Sequence, residues 1–329
     1  MGKARSLEAK LARLRSLRGE PPSPPRLGEL RTALRDSSNL VVAEAAEIAG
    51  KGQLGELAPD LVAAFDRFLE SPAKTDKQCR AKTAVVEALN GLEFPEEDVF
   101  LRGARYVQLE GVWGGSQDTA APVRVACAFA LVRLRSREAP VLLVDLLSDP
   151  EKAARAGAAQ ALAWWGTEAA GLLLRLKARV GDGEPEVLSE CFNGLLKLRP
   201  DDGVAFVAEF FGLADQAVQE VAVLALGESR RPAAFEILKA FWERQPDATL
   251  RETALMALAL LRLQAATDFL LSLAATGPAG VAESAVKALA IHRYDPRLVE
   301  RTAAAVAQNG RAALRAHFEK RFHVKEEKG

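Results

Sequence analysis

DPEKAARAGAAQALAWWG, residues 149–166, is the stretch that decides the fold, because it joins a helix-start signal to one apolar helical face. Asp149 can accept hydrogen bonds from the first backbone N–H groups of a helix, and Pro150 suits the first turn. Ala158 and Leu162 follow four residues apart, a spacing that places both side chains on the same side. The stretch therefore predicts an alanine-rich helix on which a second helix packs closely.

The same pattern recurs along most of the chain. We take Leu162 as a register position, called the mark, and find its equivalents at Ile48, Leu89, Leu131, Leu195, Leu226, Leu258 and Leu289. From Leu131 onward the marks lie 31 to 33 residues apart, which is room for two short helices and their loops. An aspartate precedes most marks by 11 to 13 residues, at Asp36, Asp76, Asp118, Asp149, Asp182, Asp215 and Asp247. No segment shows the alternation and turn residues of a β-hairpin, so we expect an all-α solenoid of about eight helix pairs.

Three stretches, DPEKAARAGAAQAL, DTAAPVRVACAFAL and DATLRETALMALAL, resemble the HEAT repeat. Their short period is similar to that of bacterial proteins related to phycocyanobilin-lyase HEAT-like repeats. The resemblance covers about residues 24–308 and implies a superhelix of helix pairs. It implies no single activity, because HEAT arrays serve many functions. A lyase-like accessory role is one alternative that it leaves open.

The two ends of the chain differ from the repeats. We expect a basic amphipathic helix over residues 1–20, a Pro-rich linker over 21–25, the repeats over 26–308, and a capping helix with a tail over 309–329. Leu7, Leu11, Leu14 and Leu17 form the apolar stripe of the first helix. That helix either caps the stack or contacts a membrane surface or an acidic partner.

Composition limits the function classes. The formal net charge is zero, which argues against a general nucleic-acid binder. The ends are basic and the middle of the chain is acidic. Cys79, Cys127 and Cys191 are widely spaced and odd in number, so we interpret them as small core residues of a cytoplasmic protein. The sequence lacks an apolar run of about 18 residues, so we expect no transmembrane segment.

The sequence offers little for catalysis, and we predict no enzyme activity, cofactor or metal. HEAT-repeat hydroxylases hold iron with His-Glu pairs, whereas His292, His317 and His323 are not followed by Glu. Alkylpurine DNA glycosylases with HEAT-like folds use a catalytic Asp, nearby Trp residues and a basic groove. The residues of this chain that could correspond to that glycosylase set are Trp113, Asp118, Arg124 and Trp164. Asp118, however, is one of the recurring aspartates, and Arg124 lies seven residues before its mark, as Lys82 and Arg155 do. We therefore expect the Asp and Arg residues to form a structural ladder between repeats.

Tryptophan residues mark two candidate contact surfaces. Gln108–Pro122 carries glycines around Trp113 and predicts a loop between paired helices. We expect this loop to be ordered, with Trp113 packed over the neighbouring repeat; a partner-contact loop is the alternative. Trp165, three residues after its mark, should be core, whereas an exposed Trp164 would be a binding anchor.

Helical geometry also predicts a groove-facing row, two, five or six residues before each mark on the second helix of each pair. In repeats three and four this row is apolar, at Val125 and Phe129. In repeats five to eight it is acidic, at Glu190, Glu220, Glu252 and Glu283. We accordingly expect a non-catalytic protein–protein interaction scaffold, whose unknown partner carries a basic segment and an apolar anchor. A glycosylase-type enzyme is the alternative from another class.

Overall fold

The computed structural model describes residues 2–70 and 72–322, and most of these residues lie in α-helices. The predicted tail from residue 323 onward, with His323, lies outside the described residues. The chain divides into two compact units, one ending at Trp165 and one beginning at Gly166, and each is described by itself.

The first unit contains ten helices and a two-stranded sheet among its described residues. The helices are α1 (Gly2–Ser16), α2 (Pro24–Leu34), α3 (Asn39–Lys51), α4 (Ala58–Glu70), α5 (Pro72–Thr75), α6 (Arg80–Gly91), α7 (Asp98–Ala104), α8 (Ala121–Arg133), α9 (Ala139–Leu147) and α10 (Lys152–Trp165). The strands are β1 (Leu109–Val112) and β2 (Gly115–Asp118), between α7 and α8. The marks lie on α3, α6, α8 and α10, which pack side by side in one row. Each of these helices also packs on its partner in a second row, formed by α2, α4, α7 and α9.

The second unit repeats this arrangement without strands in its described part. Its helices are α11 (Glu168–Val180), α12 (Pro185–Leu198), α13 (Pro200–Ala208), α14 (Gln216–Glu228), α15 (Ala233–Arg244), α16 (Ala248–Leu260), α17 (Gln264–Thr276), α18 (Ala279–Leu289), α19 (Pro296–Asn309) and α20 (Ala312–Phe322). The mark helices α12, α14, α16 and α18 form one row, and each is paired with the helix before it. Helix α20 packs on α18 and α19. The predicted all-α architecture of eight helix pairs is confirmed.

The marks and the small residues near them form the cores of both units. All eight marks are buried, with at most 3% of any one exposed, and Ala158 is fully buried as its register predicts. Small residues let the helices approach closely. A Cβ atom on Gly227 of α14 would lie 2.5 Å from the carbonyl oxygen of Ala257 on α16. Cys79, Cys127 and Cys191 are buried, in agreement with the interpretation as core residues.

The β-hairpin contradicts the prediction that the chain contains no such element. β1 and β2 pair antiparallel, with Leu109 opposite Asp118 and Val112 opposite Gly115. Trp113 and Gly114 make the two-residue connection, and Gly114 has a φ of 87°, which glycine adopts without a side-chain clash. The glycines excluded a helix correctly. The hairpin was missed because neither strand alternates apolar and polar residues clearly.

The N-terminal helix packs on the first repeat. Leu14 and Leu17 are buried, and α1 contacts α3. Two ion pairs join this end of the chain to the repeat: Lys10 of α1 lies 2.6 Å from Asp36, and Arg18, two residues after α1, lies 2.7 Å from Glu44. The following helix α2 begins at Pro24, with Ser23 as its N-cap, so it starts within the proline-rich segment.

Candidate functional site

The recurring aspartates are helix-start residues. Five of them accept a hydrogen bond from the backbone N–H two residues later, an Asx turn that orders the chain as it enters a helix. They are Asp36, Asp118, Asp149, Asp182 and Asp215. Asp247 instead accepts the N–H of Leu250, as an N-cap does. A recurring position with a local backbone role is therefore a structural feature of each repeat.

Arg124 connects two of these aspartates. Its Nη1 lies 2.6 Å from Asp118 Oδ2, and its Nη2 donates to Asp149 Oδ1 at 3.0 Å. Burial raises the pKa of Asp118, but hydrogen bonds from the N–H groups of Gln108 and Ala120 and from Arg124 outweigh it, so the pKa lies below the ordinary aspartate value. The predicted Asp–Arg ladder is present at this position. The carboxylate proposed for glycosylase-type chemistry already has its oxygens bound by protein donors.

A buried ion pair lies in the preceding repeat. Lys82 Nζ is 3.0 Å from Asp76 Oδ2, and both side chains are completely buried. Asp76 also accepts the N–H groups of Ala81 and Lys82 and the amide of Asn39. Lys82 is seven residues before its mark, as Arg124 is, so one register position carries the same charge in both repeats.

The hairpin is fixed at its base to this polar network. Gln108 donates its side-chain amide to the carbonyl of Asp76 at 2.8 Å and to Glu110 Oε1 at 2.7 Å. The same oxygen of Glu110 accepts the N–H of Gln78 at 2.6 Å and the hydroxyl of Thr119 at 2.7 Å. Burial raises the pKa of Glu110, but these bonds outweigh it and leave the pKa lower than usual. The hairpin is thus rooted in the repeat before it.

Trp113 lies at the opposite end of the hairpin and is fully exposed. The prediction that it packs over a neighbouring repeat is therefore wrong. An ordered position without apolar packing is possible because the bonds at the hairpin base, rather than the indole, hold the segment. Leu109 and Val112 of β1 are exposed as well, at 62% and 48%. The hairpin presents three large apolar side chains to solvent.

The mark helices of the first unit carry an aromatic pair on their exposed face. The rings of Phe129 on α8 and Trp164 on α10 lie 5.9 Å apart, and Trp164 is 49% exposed. Val125, one turn before Phe129, lies against Gly157, where an added Cβ atom would meet its side chain at 2.4 Å. Trp165 is half-buried rather than core. The structure thus brings Phe129 and Trp164 together, whereas Trp113 belongs to the separate hairpin.

The four predicted glutamates lie on the mark helices of the second unit, one on each. Glu190 is on α12, Glu220 on α14, Glu252 on α16 and Glu283 on α18, and all are at least partly exposed. Glu252 is paired with Lys287 of α18, at 2.6 Å. This lysine reduces the negative charge at that step of the row. Lys287 lies two residues before the mark Leu289 and so belongs to the predicted groove-facing row, but the sequence does not reveal its pairing with Glu252.

The three cysteine thiols are buried, and the imidazole of His292 contacts a backbone carbonyl. Burial raises the pKa of Cys79 to about 11 and that of Cys191 to about 12, so both favour the unreactive thiol form. His292 contacts the carbonyl of Ala259 through Nε2, at 2.9 Å. In the part of the chain that the structure describes, no group of three or more His, Cys, Asp or Glu side chains is arranged to hold a metal ion.

Comparisons with known proteins agree with the repeat. A family model described as HEAT repeats matches residues 173–259 and, overlapping with these, 204–290. The chain therefore contains HEAT repeats over this part of its second unit, as the sequence resemblance implied. No curated protein matches the sequence. Within the described residues, the helices are too short or too polar to cross a membrane.

Three solved structures are similar in their fold. The complex of CpcE and CpcF of phycocyanin lyase from Nostoc sp. PCC7120 is 19% identical, with a TM-score of 0.38, over 78% of this chain and 94% of that one. Human deoxyhypusine hydroxylase is 21% identical, with a TM-score of 0.31, over 76% of this chain and 88% of that one. An engineered protein is 17% identical, with a TM-score of 0.39, over 92% of this chain and 85% of that one. These likenesses concern the fold alone.

Proposed function

We propose that this chain is a non-catalytic protein-binding scaffold and that the hairpin carrying Trp113 is its principal anchor. The observation that carries this proposal is a large aromatic residue, fully exposed, at the end of an ordered hairpin. Tryptophan is enriched among the residues that dominate binding energy at interfaces. A side chain held in place before binding loses little conformational freedom when a partner covers it.

The bonds at the hairpin base support the anchor function. Two short hydrogen bonds join the hairpin base to the segment around Asp76: Gln108 donates to the Asp76 carbonyl at 2.8 Å, and Glu110 accepts the N–H of Gln78 at 2.6 Å. Trp113 stabilises none of these bonds, since its side chain is fully exposed. The hairpin base therefore sets the position of the anchor, and the residue at its tip can be changed without disturbing that position. Leu109 and Val112 extend the apolar surface along β1.

The mark helices add a second contact region to the same proposal. The pair of Phe129 and Trp164 offers an apolar position in the first unit. In the second unit, Glu190, Glu220 and Glu283 are available to a basic segment of the partner. Reversal of Glu220 and Glu252 to Lys removes one available carboxylate and also the partner of Lys287, so it should weaken association steeply at low salt and less at high salt.

The glycosylase alternative is not favoured by the site. Its base would have to be Asp118, which is bound to two backbone N–H groups and to Arg124. A general base needs a free lone pair directed at its substrate. This observation supports a structural function for Asp118 and a non-catalytic function for the surface around it.

Affinity capture with the full chain as bait tests the anchor. Proteins captured by the wild type are compared, by isotope-labelled mass spectrometry, with those captured by Trp113→Ala. Ser116→Ala, on the same hairpin, and Val141→Ala, at an exposed valine of α9, are matched controls. We expect Trp113→Ala to lose at least 90% of a specific partner while both controls retain it. Equal retention by all three variants, with unchanged thermal midpoints, would refute the anchor function.

A further inference from the structure

The second unit contains a basic cleft that the Trp113 hairpin does not involve. Its volume is about 640 Å³, and it lies where the turn after α16 meets the N-terminal ends of α17 and α19. Three arginines, Arg262, Arg297 and Arg301, and one acidic residue, Asp295, line it, which gives these side chains a formal net charge of +2. A cleft with this charge is complementary to an anionic ligand.

Two of these arginines are available for a ligand. Arg301 is paired with Asp268 outside the lining. Arg262 and Arg297 are exposed, and among the described residues neither guanidinium has an ion pair with an acidic side chain. Asp295 is occupied as the N-cap of α19, accepting the N–H groups of Arg297 and Leu298. The cleft therefore has unneutralised guanidinium groups next to a carboxylate that is already bound.

Aromatic surface and helix geometry complete the cleft. Tyr294 is 71% exposed in its lining, and its ring lies 4.9 Å from the guanidinium carbon of Arg293, a further cation. Helix α17 begins after Leu263, which provides no side-chain cap, so its first N–H groups are left to solvent or a ligand. Anions are stabilised at such helix ends.

We infer that this cleft binds an acidic peptide segment of a partner protein, through carboxylates held by Arg262 and Arg297 with Tyr294 between peptide side chains. Guanidinium groups bind carboxylates through two parallel hydrogen bonds. Arg262 and Arg297 lie on separate elements, the turn after α16 and helix α19, which suits a peptide that carries more than one carboxylate. A nucleic-acid duplex needs an extended basic surface, whereas this chain has a formal net charge of zero.

Fluorescence anisotropy of the purified full chain tests the inference with fluorescein-labelled hexaglutamate as the probe. We expect saturable binding that weakens as salt is raised. The double variant Arg262→Gln/Arg297→Gln should weaken binding at least tenfold. Arg244→Gln/Arg315→Gln removes the same charge from exposed positions outside the cleft lining and should change the affinity less than twofold.

Other outcomes would overturn the inference. They are absence of hexaglutamate binding, equal weakening by both double variants, tighter binding of a labelled 12-base-pair duplex, or displacement of the probe by millimolar inorganic phosphate. Circular dichroism confirms that each variant is folded before it is compared. The assay uses a defined peptide and leaves Trp113 unchanged, so its failure is distinguishable from failure of the proposed anchor.

Discussion

Replacing Lys82 by Met should destabilise the first unit by about 3 kcal/mol. The ammonium lies 3.0 Å from Asp76 and both side chains are fully buried, so the substitution leaves a carboxylate without its counter-ion. Removal of one partner from a buried pair costs about 3–5 kcal/mol. Asp76 keeps three hydrogen-bond donors, from Ala81, Asn39 and the backbone of residue 82, which places the cost at the lower end. Met is close to Lys in volume, so the cavity contribution is small.

Urea denaturation followed by circular dichroism measures this effect, with Lys287→Met as the matched control. The Lys287 ammonium lies closer to its partner, 2.6 Å from Glu252, but the side chains are 43% and 48% exposed. Exposed pairs contribute about 0–1 kcal/mol, so the control should shift the midpoint little. The double variant Asp76→Asn/Lys82→Met should be more stable than Lys82→Met, because no unpaired buried charge remains. Equal losses of unfolding free energy for Lys82→Met and Lys287→Met would show that burial does not determine the cost of removing the lysine.

Three other outcomes follow from the packing and the buried groups. Gly227→Ala should reduce the free energy of unfolding by about 1–3 kcal/mol and so lower the thermal midpoint, because its Cβ would lie 2.5 Å from the backbone of α16. Gly280→Ala, which has open space around it, should leave the midpoint unchanged, and equal shifts for the two variants would contradict the argument. Iodoacetamide at pH 8 should leave the three cysteines unmodified in the native protein and alkylate them in urea, since the thiols are buried and burial raises the pKa of Cys191 to about 12; a mass increase in the native state would refute this. The folded-state pKa of Asp118 is below its ordinary value, so its contribution to stability is complete above about pH 4 and is lost as pH falls through the folded pKa. Asp118→Asn should therefore flatten the acid limb of the stability curve, and an unchanged slope would exclude this carboxylate as its cause.

The sequence predicts the helical architecture well because each repeat contains its own pattern. The spacing of Ala158 and Leu162 depends only on the helix that carries them, and the equivalent positions are buried in every repeat. The aspartates are equally local, since an Asx turn spans three residues. Local signals that recur at a fixed period are the kind that sequence reasoning detects.

The hairpin shows where such reasoning fails. Its strands are short and largely polar, and its position is set by bonds to residues about 30 positions earlier, such as Gln108 to Asp76. Those bonds are specified by no local pattern. Because we expected apolar packing to order this segment, we also placed Trp113 incorrectly. The structure assigns the order to the polar base and leaves the indole exposed.

Two contacts on the mark helices show how the repeat combines a fixed geometry with variable chemistry. Phe129 lies two residues before its mark and meets Trp164, two residues after the next mark. Asn193 and Glu228 hold the same two positions in the second unit, where the Asn193 amide donates to Glu228 at 3.3 Å. The same two positions therefore meet in both units, while the side chains that meet are aromatic in one and polar in the other. The marks beside these positions are buried, whereas the four residues that meet are at least partly exposed. A surface built in this way can acquire separate binding regions repeat by repeat, which is the property that the proposed scaffold function requires.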